Sequence, residues 1–353
     1  MAFQRNRKAL LITNGSLLQQ YFRDGTAEFK HCPNLKPHMK CNFSSASYQV
    51  WNQSDAVIFR ALYVKKPNEL WRHRPAGQVW VFEEHESPMM TWRRPEDAKE
   101  IGIWDKFNAT ILFTKDADVY HYQYDFPCKL KPAPNRRIQR NYLLTKKKSV
   151  LWLVTNCHLT MGRELYVDEL KKHIDVDVIG GCGRQVNCNR DRFYDTSCVS
   201  KLLSRYKFYL AFENSFCEGY YTEKANKALW ADIIPVVMGL VNYTQLLAPG
   251  TFIDVRDFKS PKHLAEYLTK VGSDDKLYGQ YIEKKNRLRC RKISTRNHMC
   301  NLCKYLHDHR GETHTLPDMM KFWGREKRCV SPDKFFKGIA DEIIPRLKGH
   351  HIF

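Results

Sequence analysis

Between Phe208 and Lys224 the chain reads FYLAFENSFCEGYYTEK. The apolar run FYLAF stops at Glu213-Asn214, and an acid–base pair, Glu223-Lys224, opens a helical pattern. A helix starting near Thr222 would aim its unpaired N–H groups and positive dipole end back at this loop, a setting that suits a phosphate. A lysine in the first turn is unfavourable for the helix itself, and a bound anion would account for it. Asn214 and Glu223 can accept hydrogen bonds from hydroxyls, and Tyr220 can stack or donate. Together these residues could hold a molecule with both phosphates and hydroxyls, such as a nucleotide sugar. The same residues also read as ordinary local structure: Glu223 capping a helix, Asn214 making a turn, Lys224 solvated.

The surrounding elements suit the first reading. Strand SVLWLV (149–154), a helix near 162–172, strand DVDVIG ending in Gly180-Gly181, a helix around 197–205, strand KFYLAF, a helix at 222–230, strands IIPVVMG and TFIDV, and a helix at 261–270 follow one another. Strands alternating with helices at this spacing predict an α/β fold with a parallel sheet, whose ligands sit at the carboxyl ends of the strands. The first half is less regular. Short β candidates stand at 9–13, 56–59, 79–82 and 110–114, separated by polar segments rich in Pro and Trp. The basic stretch KLKPAPNRRIQRNYLLTKKK, 129–148, reads as an interdomain linker. Two domains are expected: an N-terminal one over 1–145 and a C-terminal one over 149–353.

The 353 residues include 58 Lys and Arg against 38 Asp and Glu, a net charge of +20, which points to an anionic partner or to a solvated basic surface. With 43% hydrophobic and 13% aromatic residues the chain can bury cores, which excludes a disordered protein. The basic residues are spread out and no nucleic-acid-binding motif accompanies them, so no nucleic-acid partner is expected. Twelve cysteines, and N-x-Ser/Thr sequons at Asn14, Asn42, Asn52, Asn108 and Asn242, fit the secretory pathway. No signal peptide and no apolar run near the ~20 residues that span a bilayer stand in this sequence, so membrane attachment would need an anchor not present in it.

The run SRYKFYLAFENSFCEGYYTEKANKALWADIIPVVMG resembles the signature of the Golgi α1,3-fucosyltransferases, glycosyltransferase family ten, in an invertebrate-like form. The resemblance extends to WVFEEHESP at Trp80, FNATILFTKDADV at Phe107, FIDVRDFKSPKHLAEYL at Phe252 and CNLC at Cys300. One departure is visible: after Thr222-Glu223-Lys224 the family continues with a large apolar pair, and here Ala225-Asn226 follow.

The resemblance implies a GT-B architecture: two Rossmann-like domains facing a cleft, the first holding the acceptor and the second holding GDP-fucose. It implies transfer of fucose in α1,3 linkage to N-acetylglucosamine of an N-glycan or related glycoprotein or glycolipid acceptor, with inversion and a glutamate base. The family's base matches Glu86, with Glu84 as the second candidate, because some relatives carry two acids in this loop; close like charges among Glu83, Glu84 and Glu86 can raise one carboxyl and make a better base. Lys224 matches the diphosphate lysine. Arg163, in GRELYVDEL, matches an arginine whose fork suits phosphate oxygens. Asn214, Glu223 and Tyr220 match donor contacts. No cofactor is obligatory; Mn²⁺ can stimulate without a fixed cluster. The resemblance also pairs Cys32 with Cys300 and Cys41 with Cys303, tethering the tail; the other eight cysteines stay unassigned. No metal site is expected: CNLC lacks a second CxxC, Cys182, Cys188 and His173 make no known pattern, and Asp116-x-Asp118 lies in the wrong half. The Golgi lumen is the expected compartment. A protein of the same fold that binds nucleotide sugar or glycan without turnover remains the alternative, separated by a transfer assay.

Overall fold

The computed structural model describes residues 9–15, 23–121, 127–133, 140–157, 161–186, 196–290, 297–312 and 314–347. The chain divides into two compact units, Met1–Gln123 with Ile293–Arg328, and Tyr124–Lys292 with Cys329–Phe353.

The first unit holds six strands: β1 (Leu10–Asn14), β2 (Cys41–Ser44), β3 (Ala56–Arg60), β4 (Val79–Glu83), β5 (Ala109–Leu112) and β6 (Val119–Tyr120). They form one sheet in the order β2-β1-β3-β4-β5-β6, every pair parallel. Alternation along the strands sorts two faces. One is aliphatic: Ile12, Ile58, Val81 and Ile111 pack against Met299, Leu302 and Leu306 of the helix Asn297–Asp308. The other is aromatic: Phe59, Trp80 and Phe82 meet Trp51, Trp71, Trp92, Trp104 and Phe107 in a chain of edge-on and tilted ring contacts. Large rings fill that layer from short turns, which is why the first half of the sequence is rich in Trp yet shows little helical periodicity.

The second unit holds β7 (Cys128–Leu130), β8 (Lys148–Leu153), β9 (Val176–Ile179), β10 (Tyr206–Phe212), β11 (Ile234–Met238), β12 (Ile253–Asp254) and β13 (Leu288–Cys290). Five of them form a parallel sheet, β12-β11-β10-β8-β9, and β7 pairs antiparallel with β13. The central β10 is buried along nearly its whole length, as a strand covered on both faces must be. Helix Thr196–Leu203 and Ala225 and Ala228 cover one face. Helices Arg163–Leu170 and Pro261–Ser273 pack together. The latter starts where the residues dictate: Ser260 accepts the His263 N–H at 3.1 Å and Pro261 takes the first position. Among the described residues no helix is long and apolar enough to cross a membrane.

The boundaries differ from the linear division expected at 145/149. Residues 293–328 belong to the first unit, because the apolar side of Asn297–Asp308 completes its aliphatic face. Disulfides Cys32–Cys300 and Cys41–Cys303, the pairs implied by the resemblance, fix that return. The expected linker opens as β7, closed onto β13 by Cys128–Cys290. Cys157–Cys182 and Cys217–Cys329 lie in the second unit, and Cys198 is also disulfide-bonded. Cys188 lies outside the described residues.

Candidate active site

Each unit carries one cluster of chemically capable side chains at the carboxyl end of its sheet. In the second unit β10 ends at Phe212, and the next residue, Glu213, is wholly buried. Its carboxylate accepts the Thr222 N–H at 2.8 Å, the Thr222 hydroxyl at 2.8 Å and the Lys224 ammonium at 2.9 Å. Gly239, at the end of β11, makes room: a Cβ there would stand 2.6 Å from the Tyr243 hydroxyl and 3.3 Å from the Glu213 side chain. One acid thus closes the loop from Asn214 to Thr222 and seats Lys224.

Arg163 reaches the same edge from another element. It follows Gly162, whose φ of +78° suits glycine, and opens the helix Arg163–Leu170. Its guanidinium donates to Phe212 O at 3.2 Å, Asn156 O at 3.0 Å and Glu164 Oε1 at 3.0 Å, and lies over the Trp152 ring. Two strand ends, β8 and β10, therefore hold it in place.

Electrostatics couple these groups. Burial works against a charged Lys224, but Glu213 and Glu223 outweigh it and raise the ammonium above the ordinary lysine value, while Arg163 pushes the other way. Burial also works to raise Glu223, yet Lys224 and Lys227 outweigh it and hold that carboxyl down at about 2. Glu223 pairs with Lys227 at 3.1 Å. Asn214 is half-buried, its side-chain oxygen accepting the Ser215 hydroxyl at 3.1 Å. Tyr220 is only 1% exposed, so the expected nucleotide contact is sunk beneath the loop surface. The helix expected over 222–230 is shorter, Glu223–Lys227 followed by a 3₁₀ turn Ala228–Trp230. Its dipole is correspondingly small, and the side-chain cations carry the positive charge. Ala225, where the family pattern has a large residue, fills a core position at 1% exposure.

In the first unit the segment Glu83-Glu84-His85-Glu86 leaves β4. Glu84 is fully buried and accepts three backbone N–H groups, from Leu62 at 2.8 Å, His85 at 2.8 Å and Glu86 at 2.9 Å. Arg60 stands 3.7 Å away, beyond hydrogen-bond reach. Burial is the largest influence, and it lifts the Glu84 carboxyl to about 7 against Arg60 and the three amides. His85 sits 3.0 Å from Glu83 and stacks on His121, ring centroids 3.9 Å apart, with His298 edge-on to both. Burial holds each imidazole down at about 3, so the rings are neutral at physiological pH and act as packing and hydrogen-bonding groups. Glu86 itself is half-buried, on a loop secured from both sides.

Other sequence candidates sort by exposure. Asn14 and Asn108 are corrections. Asn14 is 6% exposed, and Asn108 accepts the Trp80 N–H, pairs with Arg74 and donates to His314 O, so neither amide is open to glycosylation in the folded chain. Asn42 is half-buried in β2; Asn52 and Asn242 are exposed. Asp116 pairs with Arg328, and Asp118 accepts from Thr110, so both acids are occupied structurally. Cys41, Cys303 and His307 lie within metal-ligating reach of one another, but both sulfurs belong to a disulfide. Sequence reasoning missed Glu213 as the anchor of the loop. Its separation of eleven residues from Lys224 follows no local rule; an acid ending a buried apolar strand was the available signal.

Two α/β units, each built on a parallel sheet with its chemically capable loops at the carboxyl ends of the strands, match a GT-B-like fold class. The model of "Glycosyltransferase family 10 (fucosyltransferase) C-term" matches residues 143–323, and that of "Fucosyltransferase, N-terminal" matches residues 5–125. The chain belongs to glycosyltransferase family 10, a family of fucosyltransferase enzymes. It is 30% identical over 326 residues to alpha-(1,3)-fucosyltransferase C of Drosophila melanogaster, covering 85% of this chain and 72% of that protein. It is 37% identical over 261 residues to the 3-galactosyl-N-acetylglucosaminide 4-alpha-L-fucosyltransferase FUT3 of Bos taurus, covering 71% and 66%. Crystal structures of an alpha1,3-fucosyltransferase, alone and with GDP-fucose, share the fold with TM-scores of 0.53 and 0.50 at 17% identity, each over 90% of this chain and 94% of the other.

Proposed function

We propose that this enzyme transfers L-fucose from GDP-β-L-fucose in α1,3 linkage to N-acetylglucosamine of an N-glycan or related glycoprotein or glycolipid acceptor. The observation that carries the reading is the pair of cations, buried Arg163 and half-buried Lys224, set at the carboxyl ends of β8 and β10. The leaving diphosphate gains negative charge as the glycosidic bond breaks, and fixed cations at that position stabilise it. Arg163 offers a fork to the phosphate oxygens and Lys224 a point charge. Asn214 and Glu223 take sugar hydroxyls. The donor is held by the second unit and the acceptor by the first.

Glu86 is the base. It takes the proton of the acceptor O3, whose oxygen bonds to C1 of fucose while the C1–O bond to phosphate breaks and GDP leaves with the electron pair. A single displacement of this kind inverts the β donor to an α product. Glu84, the other candidate, already spends both oxygens on backbone amides, which favours Glu86. Side-chain cations at the diphosphate make a bound metal dispensable, and Mn²⁺ acts at most as a stimulant. The Golgi lumen is the compartment that fits the disulfides and the glycan acceptor.

Incubation with GDP-fucose and a panel of N-glycans, read by mass spectrometry, tests the activity. Gain of one fucose on N-acetylglucosamine is expected. Glu86→Gln should bind GDP-fucose normally and transfer nothing; the same phenotype in Glu84→Gln with an active Glu86→Gln would reassign the base.

A further inference from the structure

The family model of the C-terminal half ends at residue 323, yet the chain returns to the second unit at Cys329 and packs there through Leu347. This returning segment touches both cation-bearing elements. Cys329 is disulfide-bonded to Cys217, in the middle of the loop that Glu213 closes. The same pair forms an antiparallel bridge, and the Val330 N–H donates to Phe216 O at 2.9 Å. Phe335 stacks on Phe216, with centroids 3.6 Å apart and planes 2° from parallel. Phe336 lies edge-on to Phe216 at 5.4 Å.

Phe336 also faces the second element. It stacks with Tyr166, on the helix that Arg163 opens, at 5.9 Å. A Cβ added to Gly162, the residue before Arg163, would stand 2.9 Å from the Phe336 ring and 2.7 Å from Leu347. Phe216, Tyr166 and Phe336 are all fully buried. One apolar side chain is thus wedged between the loop that leads to Lys224 and the turn that leads to Arg163.

We infer that the segment from Cys329 to Leu347 is a positioning clamp for the nucleotide diphosphate, with Phe336 as its shared contact. The inference rests on the assignment of Lys224 and Arg163 to the diphosphate. The two cations repel each other, as the opposing effect of Arg163 on Lys224 records. Before the donor arrives, Glu213 at Lys224 and Glu164 at Arg163 offset part of that repulsion, but neither acid ties one cation-bearing element to the other. Apolar packing and a covalent link can hold the two elements together without neutralising either charge. A site held ready in this way spares the donor the cost of ordering it.

The test uses the full chain with GDP as the probe. Phe336→Ala should weaken GDP binding by about ten-fold in calorimetry and raise KM for the donor similarly, with acceptor KM unchanged. Phe336→Leu, which keeps apolar volume, should restore most of the affinity. A uniform packing role would move donor and acceptor KM together, and that result, or unchanged GDP affinity, overturns the clamp. Where Phe336→Ala fails to fold, the double variant Cys217→Ser/Cys329→Ser gives the same reading through the other attachment. Lys224→Ala is measured alongside. Weakened GDP binding there with none in the clamp variants sinks the clamp alone; no weakening in Lys224→Ala sinks the diphosphate assignment and the clamp with it.

Discussion

The two clusters use one device with opposite electrical outcomes. In each, a glutamate at or just beyond the end of a central parallel strand is buried completely, and its oxygens hold the following loop. Glu213 has an ammonium at 2.9 Å, and the lysine keeps its charge above the ordinary lysine range. Glu84 has backbone amides and a guanidinium no closer than 3.7 Å, and burial prevails, lifting its carboxyl to about 7. A cation in hydrogen-bond contact decides whether a buried acid supports charge chemistry or shapes a loop.

The strongest way to break this comparison is to remove the cation. Lys224→Ala should lower kcat/KM by about 100- to 1,000-fold, the usual size for loss of one group that stabilises transition-state charge. The variant also strands Glu213 without its partner and should cost about 3–5 kcal/mol of stability in denaturant titration. Near-normal kinetics would remove Lys224 from the chemistry.

Neutralising each acid sharpens the contrast. Glu213→Gln takes the carboxylate from the half-buried Lys224 ammonium, leaving it the Thr222 hydroxyl at 2.6 Å, and should destabilise by about 3 kcal/mol. Glu84→Gln turns an amide nitrogen toward backbone donors and should cost less, about 1–3 kcal/mol. Equal losses would mean that the lysine adds nothing to the anchoring of its loop.

Proton linkage separates the regions further. Glu84 titrates higher in the folded chain, at about 7, than the ordinary 4.5, so its contribution is fully present below about 4.5 and is lost as pH rises through 7. The change amounts to at most about 3 kcal/mol. Glu223 is held down at about 2, so its contribution is present above 4.5 and disappears as pH falls toward 2. Melting curves from pH 5 to 8 should flatten in Glu84→Gln; an unaltered slope would reject the raised carboxyl. The smallest effect is expected from Thr222→Val, which deletes one of the three donors to Glu213 and should cost about 1–2 kcal/mol in the same titration.

Much of the second unit was legible because a parallel sheet writes itself in long apolar runs: β8, β10 and β11 lie where FYLAF and its neighbours placed them. Lys224 stood out as a lysine in the first turn of a helix, whereas Arg163 and Glu86 came from a resemblance, and no rule of spacing connects the three. What escaped were relations between distant residues. Glu213 was visible only as the end of a strand. The pairing of Cys217 with Cys329 spans 112 residues. Burial of Asn108 depends on Arg74, Trp80 and the His314 carbonyl, which a sequon search does not consult. The aromatic layer of the first unit showed as scattered Trp and Phe because rings arriving from separate turns leave no periodicity.

The late return of Asn297–Asp308 has a bearing on synthesis. As the polypeptide leaves the ribosome, the aliphatic side of the first sheet stays bare until its covering helix has been made, some 240 residues after Ala56–Arg60. Nascent chains of this kind favour chaperone capture, and Cys32 and Cys41 can close their disulfides only after Cys300 and Cys303 have been made.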